Sequence, residues 1–271
     1  MSIPFLKWAG GKRWFTTKYS AMLPRNFNRY IEPFLGGGSV FFHLEPLHAL
    51  LGDVNDDLIT TYISIRENWQ AVEDLLIQHQ RNHSEDYYYE IRESLPIDIV
   101  ERAARLIYLN RTCFNGIYRV NRQGRFNVPK GTKDTVIFDF DDFENLSRLL
   151  TNAEIRVNDF ELLINEAQTN DFIFADPPYT VRHNQNGFIK YNENLFSWND
   201  QIRLANALER ARDRGAMILA TNANHHLLRE LYEERGFNIR TVSRYSSISA
   251  DPNKRNQYEE IIVYANIPRE D

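Results

Sequence analysis

Apolar residues in the first 55 positions form two short runs, at residues 30–34 and 49–52, that are typical of buried strands. Each run ends in polar or glycine-rich residues, as strands of a parallel sheet do at their carboxyl edge. Between residues 56 and 109 the apolar positions recur instead at helical spacing. Three or four helices in succession without a strand predict a separate helical unit.

The second half of the chain alternates between the two patterns. Residues 115–129 contain two extended segments around a turn with glycine, which predicts a β-hairpin. The later segments are predicted strands at 154–157, 171–175, 216–220, 237–245 and 260–265, and predicted helices at 143–150, 162–167, 200–212 and 225–234. The last two strands are predicted to pair antiparallel. The fold class is therefore α/β, with a mostly parallel sheet interrupted by a helical and hairpin insertion.

Composition narrows the class of protein. The 271 residues are 42% hydrophobic and 25% charged, which suits one large folded domain or a domain with an insertion, and excludes a disordered chain. The single cysteine, Cys113, excludes an internal disulfide and argues against a cysteine-based zinc site. Seven histidines lack ligand spacing, so no metal is expected. No signal peptide and no apolar run of roughly 18 residues are visible, which predicts a soluble, cytoplasmic protein.

Charge is distributed unevenly along the chain. The formal net charge is −5, yet residues 101–133 contain eight lysines and arginines and one acid, Glu101. This concentration predicts an anionic polymer as partner, with a solvated basic face as the alternative.

A glycine-rich segment follows the first predicted strand at residues 32–40. Glycines there let the backbone turn tightly and let a ligand approach it closely. Asp53 ends the second strand, where nucleotide-binding α/β folds place an acid that accepts hydrogen bonds from ribose. The third glycine of the dinucleotide motif is missing, so a structural turn stays an alternative. The separate Gly10-Gly11-Lys12 lacks the pattern of a P-loop, which argues against an ATPase.

The predicted strand 171–175 runs directly into Asp176-Pro177-Pro178-Tyr179. The prolines fix the backbone, so that Asp176 and the Pro177 carbonyl can accept both hydrogens of an amino group. Tyr179 can stack on the planar ring that carries this group. Such hydrogen bonds favour an available lone pair on an exocyclic base nitrogen, which could then attack a methyl sulfonium directly. A base inside a duplex must be flipped out to be reached.

These segments together resemble the Dam-type DNA adenine-N6 methyltransferases. The family's Phe-x-Lys-Trp-x-Gly-Gly-Lys segment matches residues 5–12, its Glu-Pro-Phe glycine loop matches 32–39, and its Asp-Pro-Pro-Tyr matches 176–179. The family's hairpin segment matches 109–131. The resemblance covers nearly the whole chain. It implies a Rossmann-like methyltransferase sheet, with a catalytic domain at 1–55 and 151–271 and an inserted DNA-recognition domain at 56–150.

The resemblance also implies a role for individual residues, S-adenosylmethionine as the cofactor and double-stranded DNA as the partner. Catalysis is assigned to Asp176, Pro177 and Tyr179. The implied cofactor residues are Trp8, Lys12, Phe34, Gly36, Gly38, Asp53, Asp159, Phe160 and Asp176. The implied DNA contacts are Lys7, Arg111, Asn115, Ile117, Arg119, Asn127 and Pro129. A cognate restriction endonuclease is a further expected partner.

The recognition sequence stays open. GATC is the first candidate, but Thr132-Lys133 stand where many GATC-specific members carry Arg-Tyr, and the loop after Tyr179 also departs from them. Cytosine N4 in DNA and an amine in RNA are alternative targets, because cytosine presents a similar amino group. A DNA-binding relative without catalytic activity is an alternative of another class, against which the intact Asp176, Tyr179, Asp53 and Lys12 argue.

Overall fold

The computed structural model describes residues 2–116, 118–121, 125–179, 196–245 and 257–268. Seven strands form one sheet in the order β3-β2-β1-β4-β5-β7-β6. Their bounds are β1 Tyr30–Glu32, β2 Ala49–Asp53, β3 Ala153–Val157, β4 Phe172–Ala175, β5 Met217–Ala223, β6 Asn238–Tyr245 and β7 Gln257–Ala265. Strand β2 pairs parallel with β3, and β4 pairs parallel with both β1 and β5. Strand β7 pairs antiparallel with β5 and β6. The predicted fold class and the antiparallel pair at the end of the chain are confirmed.

Helices connect the strands. Their bounds are α1 Arg13–Lys18, α2 Phe41–Leu44, α3 Asp56–Asn82, α4 Glu85–Glu93, α5 Ile99–Thr112, α6 Phe143–Leu150, α7 Phe160–Asn165, α8 Trp198–Asp213 and α9 His226–Glu233. Short 3₁₀ turns lie at Ser20–Met22 and Phe114–Gly116. The three helices α3, α4 and α5 follow one another without an intervening strand, as the helical periodicity of residues 56–109 predicts.

Polar residues set the starts of the long helices. The side chains of Asn55, Ser84, Asp98 and Asp142 each accept a hydrogen bond from a backbone N–H in the first turn of α3, α4, α5 and α6. Such caps satisfy donors that a helix leaves without an internal acceptor, at about 1 kcal/mol each. Helix α3 is interrupted at Asn68, whose φ of −143° is not helical.

The chain divides into two compact units. The first contains Met1–Thr16 and Leu35–Val157, and the second contains Thr17–Phe34 and Asn158–Asp271. In the first, α3 packs on α5 and α6, and Phe5, Phe42 and Tyr62 form an aromatic cluster. In the second, α7 packs on α8. The separate recognition domain at 56–150 stays a prediction.

The hairpin predicted at residues 115–129 is described in part. Antiparallel bridges join Val120 to Phe126 and Cys113 to Lys130. The predicted turn at 122–124 lies outside the described residues. Within the part of the chain that the structure describes, no helix is long and apolar enough to cross a membrane.

Candidate active site

The glycine loop of the first unit is held by backbone hydrogen bonds and by Asp53. Gly36 and Gly38 have φ of +47° and +62°, which glycine adopts without strain. The Gly36 N–H donates to Asp53 Oδ2 over 3.1 Å, and the Asn55 N–H donates to Asp53 Oδ1 over 3.0 Å. Burial raises the pKa of the Asp53 carboxyl, and the hydrogen bonds from Asn55 and Gly36 oppose this effect. A third backbone hydrogen bond, from Val54, also reaches this carboxylate. Its two oxygens offer about four acceptor positions in all, so acceptor capacity remains for a ligand hydroxyl.

Trp8 packs directly against this loop. A Cβ atom added at Gly36 would lie 2.8 Å from Trp8 Cδ1, and one added at Gly37 would lie 3.3 Å from Trp8 Cβ. The loop therefore needs glycine both for its backbone conformation and for the approach of the indole. The Trp8 ring also stacks on Tyr118, with 5.7 Å between ring centroids and an interplanar angle of 16°. Trp8 thus lies between the glycine loop and the hairpin.

Lys12 and Tyr62 are further polar groups of the same unit. Lys12 is 4% exposed, and its ammonium donates to the Gly10 carbonyl over 3.1 Å. The Tyr62 hydroxyl donates to the Gly36 carbonyl over 3.0 Å. Trp8, Lys12, the glycines and Asp53 therefore belong to the same compact unit, and their contact with a cofactor stays a prediction. Tyr62 was not among the predicted residues, because an aromatic residue at helical spacing indicates only a core position.

The tetrapeptide Asp176–Tyr179 leaves the carboxyl end of β4 in the second unit. Asp176 Oδ1 accepts a hydrogen bond of 2.7 Å from the Thr221 hydroxyl, on neighbouring β5. The Tyr179 hydroxyl donates to Glu260 Oε2 on β7 over 2.6 Å. Thr221 and Glu260 are both buried. The sequence reasoning missed both, since single polar residues inside apolar strands carry no motif.

Phe34 and Phe160 belong to an aromatic cluster of the second unit. Their rings stack with 5.3 Å between centroids, and Phe196 packs on both at 5.6 and 5.5 Å. Asp159 begins α7, where its Oδ1 accepts from the Glu161 N–H and pairs with Arg203 over 2.8 Å. The Asp159 side chain therefore has a structural role in addition to the cofactor contact that the resemblance implies.

Most of the predicted DNA contacts lie at or beside the hairpin. The Lys7 ammonium donates to the Asn115 carbonyl over 2.9 Å, so these two predicted residues lie together. Asn110 holds the Lys7 backbone through hydrogen bonds of 2.9 and 2.7 Å. Arg119, Asn127 and Pro129 are exposed. Ile117 lies outside the described residues.

Phe114 is an exposed aromatic residue next to Asn115 that the sequence reasoning missed. Its side chain is 55% exposed, although phenylalanine is among the residues most often buried. The Phe114 N–H donates to the Pro129 carbonyl over 2.9 Å, which fixes its backbone to the other side of the hairpin. The sequence does not indicate this position, because the exposure of a single phenylalanine cannot be predicted from sequence alone.

Arg111 corrects one of the predicted DNA contacts. It is 5% exposed and forms a bidentate ion pair with Asp141, at 2.5 and 2.8 Å. The same guanidinium donates to the carbonyls of Val136 and Phe5 and lies 4.6 Å from the centre of the Phe138 ring. A side chain enclosed in this way offers no surface to a phosphate or a base. In place of the predicted DNA contact, the structure gives Arg111 a structural role.

Together the sheet order, the glycine loop and the acid-bearing tetrapeptide after β4 define an α/β methyltransferase that acts on an amino group. The model of the D12 class of N6 adenine-specific DNA methyltransferases matches residues 8–248. The chain belongs to this family. It is an adenine-specific DNA methyltransferase, and the family, fold class and reaction predicted from the sequence are confirmed.

Relatives agree with this assignment over nearly the full length. The chain is 37% identical to the Type II methyltransferase M1.LlaDCHI of Lactococcus lactis subsp. cremoris, covering 96% of this chain and 94% of the relative. It is 35% identical to the Type II methyltransferase M.MjaIII of Methanocaldococcus jannaschii, with coverages of 96% and 98%. It is 32% identical to the DNA adenine methylase of Haemophilus influenzae, with coverages of 96% and 92%.

Proposed function

We propose that this enzyme uses S-adenosylmethionine to methylate N6 of an adenine that is flipped out of duplex DNA within a short specific sequence. The observation that carries the proposal is the arrangement at the end of β4, where the Thr221 hydroxyl donates to Oδ1 of Asp176 and so orients the carboxylate. Membership of the family supports the reaction, and the contacts of the described residues support the roles given below.

The residues of the first unit fit a cofactor that contains a ribose. Asp53 has acceptor capacity beyond its backbone hydrogen bonds, and one of these bonds joins it directly to the glycine loop at the Gly36 N–H. We assign the ribose hydroxyls to Asp53, the methionine end to the backbone at Gly36 and Gly38, and further contacts to Trp8 and Lys12. For Phe34, Phe160, Asp159 and Asp176 of the second unit, a cofactor contact stays a prediction from the resemblance. When bound, this cofactor supplies an electrophilic methyl group on a positively charged sulfur.

Catalysis in this proposal consists of orienting the amine. The Asp176 carboxylate and the Pro177 carbonyl accept the two hydrogens of adenine N6, which makes the nitrogen more tetrahedral and its lone pair available. The lone pair would form the new N–C bond with the methyl group that the bound cofactor would supply, and the electrons of the broken methyl–sulfur bond would stay on sulfur. The nitrogen would become positively charged and would then pass one proton to water. Tyr179 stacks on the base, and positioning with electrostatic stabilisation accounts for the rate increase.

Nucleoside analysis tests the reaction. The enzyme is incubated with S-adenosylmethionine labelled in its methyl group and with unmethylated genomic DNA, which is then digested and resolved by mass spectrometry. We expect the label in N6-methyladenine. Label in N4-methylcytosine would contradict the assignment of adenine as the target base. The absence of label, with DNA and cofactor both shown to bind, would favour a DNA-binding relative without catalytic activity.

We assign sequence readout to residues of the hairpin and to Lys7 beside it. These are Lys7, Asn115, Ile117, Arg119, Asn127 and Pro129. An arginine such as Arg119 can donate to both O6 and N7 of guanine in the major groove, and this discriminates by roughly 1–3 kcal/mol. The other exposed basic residues of the region contact phosphate, which sets register without reading bases. GATC is the first sequence to test.

Arg119 and Arg125 form a matched pair for this assignment, since both are exposed arginines of the same hairpin. Arg119→Ala should lower discrimination between cognate and single-mismatch duplexes about 5- to 100-fold, the equivalent of roughly 1–3 kcal/mol. Arg125→Ala should weaken binding to all duplexes alike. Equal weakening of every duplex by Arg119→Ala would make Arg119 a phosphate contact.

The names of the Type II relatives lead to a proposed biological partner. We propose that the methylation protects the recognition sequence from a cognate restriction endonuclease. DNA from cells that express the active enzyme should resist endonucleases that cut at the mapped site. Complete cleavage of fully methylated sites would contradict this proposal while leaving the methylation reaction in place.

A further inference from the structure

Glu260 is a buried acid in the middle strand of the antiparallel part of the sheet. It pairs with Ala223 on β5 and Val242 on β6, and it is 1% exposed. Glu259, the residue before it, is exposed and accepts a hydrogen bond from Asn224. Side chains alternate between the two faces of a strand, so these adjacent glutamates have different surroundings. A carboxyl group buried in this way needs polar partners, because burial without them is costly.

The Tyr179 hydroxyl is a partner of Glu260. Its oxygen lies 2.6 Å from Glu260 Oε2, within the range of a short O–H···O hydrogen bond to a carboxylate. A tyrosine hydroxyl has only one proton to donate. Because that proton points to Glu260, the hydroxyl is not the group that donates to a target base. The ring of Tyr179 is the part of the side chain to which we assign recognition of the base.

We propose that Glu260 is a positioning residue for methyl transfer, which fixes the Tyr179 ring in the orientation that stacks on the flipped adenine. This inference rests on the site proposed above. The rigid Pro177-Pro178 backbone fixes the tyrosine at its Cα, and Glu260 fixes it at the hydroxyl. The side chain is thereby held at both ends, which limits rotation of the ring about its χ angles.

A fixed ring helps the chemistry in two ways. It holds the adenine plane so that the amino group meets Asp176 and the Pro177 carbonyl in the right direction. Positive charge also develops on N6 as the new bond forms, and the face of an aromatic ring attracts a cation. A hydrogen bond to a carboxylate increases the electron density of the phenol ring and therefore this attraction.

Glu260 lies outside the range matched by the family model, which ends at residue 248. It is also 81 residues from Tyr179 in the chain. The role that we propose for Glu260 therefore rests on its hydrogen bond with Tyr179 and not on a family motif.

The test compares Tyr179→Phe, Glu260→Ala and the double variant, with Glu260→Gln as the conservative change. Single-turnover rate, KM for S-adenosylmethionine and DNA affinity are measured for each, together with the fluorescence of 2-aminopurine placed at the target base. Both single variants should lower the rate about tenfold, as expected for loss of one hydrogen bond to a charged group. Glu260→Gln keeps an acceptor oxygen and should recover most of the rate. KM for the cofactor should change less than twofold.

The double variant distinguishes positioning from a general effect on the fold. Glu260→Ala should cost less than twofold when Tyr179 is already phenylalanine, because the two changes remove the same hydrogen bond. An equal loss in both backgrounds would show that Glu260 acts without the tyrosine, and would overturn the inference. Glu259→Gln serves as the matched control and should leave the rate unchanged.

Two results separate this inference from the proposed site. Tyr179→Phe preserves the shape of the core, so it remains informative even if Glu260→Ala fails to fold. A full rate for Tyr179→Phe would exclude the hydrogen bond from the mechanism while leaving the ring in its proposed role. A full rate for Tyr179→Ala would remove the ring as well, and the proposed site would then fail independently of Glu260.

Discussion

The glycine loop of the first unit and the Asp176–Tyr179 segment of the second are built in opposite ways. In the loop the backbone is the part that we assign to cofactor binding, and Trp8 packs closely against it because side chains are absent at Gly36 and Gly37. In the tetrapeptide the proposed function belongs to side chains, and buried polar groups on other strands hold them in place. The glycine loop therefore depends on the absence of side-chain atoms, whereas the tetrapeptide depends on the orientation of its side chains.

This difference predicts different responses to mutation. A change in the loop adds atoms where none fit, so it should affect both stability and cofactor affinity. A change in the tetrapeptide or its partners alters the direction of a few acceptors, so it should affect the methyl transfer rate while binding and folding are retained. The three predictions that follow test this contrast, beginning with the largest expected effect.

Removal of the Asp176 carboxylate should nearly abolish methyl transfer. Asp176→Ala deletes an acceptor for the amine, and Asp176→Asn keeps the size of the side chain but places an N–H₂ group where an acceptor is needed. Both should lower the single-turnover rate by about 10³-fold or more, in the range for loss of a preorganised electrostatic group. Filter binding should show DNA affinity within about threefold of the wild type.

Asp176→Asn is the informative control, since it fills the same volume and can still accept a hydrogen bond from Thr221. A rate for Asp176→Asn close to that of the wild type would show that the carboxylate does not orient the amine. A parallel loss of DNA affinity and rate would assign Asp176 to binding.

The second prediction concerns the partner of Asp176. Thr221→Val has nearly the same shape as threonine but removes the hydroxyl that donates to Asp176 Oδ1. The carboxylate then loses one restraint, and the rate should fall about 10- to 100-fold, the effect of losing one hydrogen bond to a charged group. Thr221→Ser keeps the hydroxyl and should restore at least a third of the rate. Thermal unfolding should show that both variants are folded.

A rate for Thr221→Val equal to that of Thr221→Ser would contradict this prediction. The side chain of Thr221 would then matter only for packing in β5, and Asp176 would be oriented by its backbone alone.

The two sites also differ in how much of them the sequence reveals. The strands, the capped helices and the glycine loop follow from local pattern, and α6 was predicted at the residues where it is observed, 143–150. Thr221 and Glu260 could not be found in this way. They lie 45 and 81 residues from the side chains they hold, and a lone polar residue in an apolar strand is ambiguous.

Arg111 is the opposite case, a residue that was predicted from the sequence to have a functional role and that the structure shows in a different one. The resemblance implied a DNA contact for this residue, which lies in the basic stretch of residues 101–133; its charge can be read from sequence, but its burial cannot. The structure instead pairs it with Asp141, 30 residues further along the chain. Local chemistry was therefore predictable, whereas the long-range pairing that decides the role of a side chain was not.

The third prediction tests the spatial requirement of the loop. Gly36→Ala places a methyl group 2.8 Å from Trp8 Cδ1 on a backbone with φ of +47°. The left-handed conformation costs an alanine about 1–2 kcal/mol, and the overpacking adds roughly 1–3 kcal/mol. The free energy of unfolding should fall by this amount. S-adenosylmethionine should bind several-fold more weakly in calorimetric titration, since the indole and the Gly36 N–H must move.

Gly10→Ala separates the two causes. Gly10 also has a positive φ, +82°, but nothing lies within 4 Å of an added Cβ, so this variant should show the backbone cost alone. The difference between the two variants measures the contact with Trp8. Gly36→Ala in a Trp8→Ala background should then cost only about as much as Gly10→Ala. The contrary outcome is that Gly36→Ala lowers the free energy of unfolding equally with and without the indole. In that case the glycine is required by its backbone conformation alone, and the lack of space beside Trp8 would not distinguish the loop from the tetrapeptide.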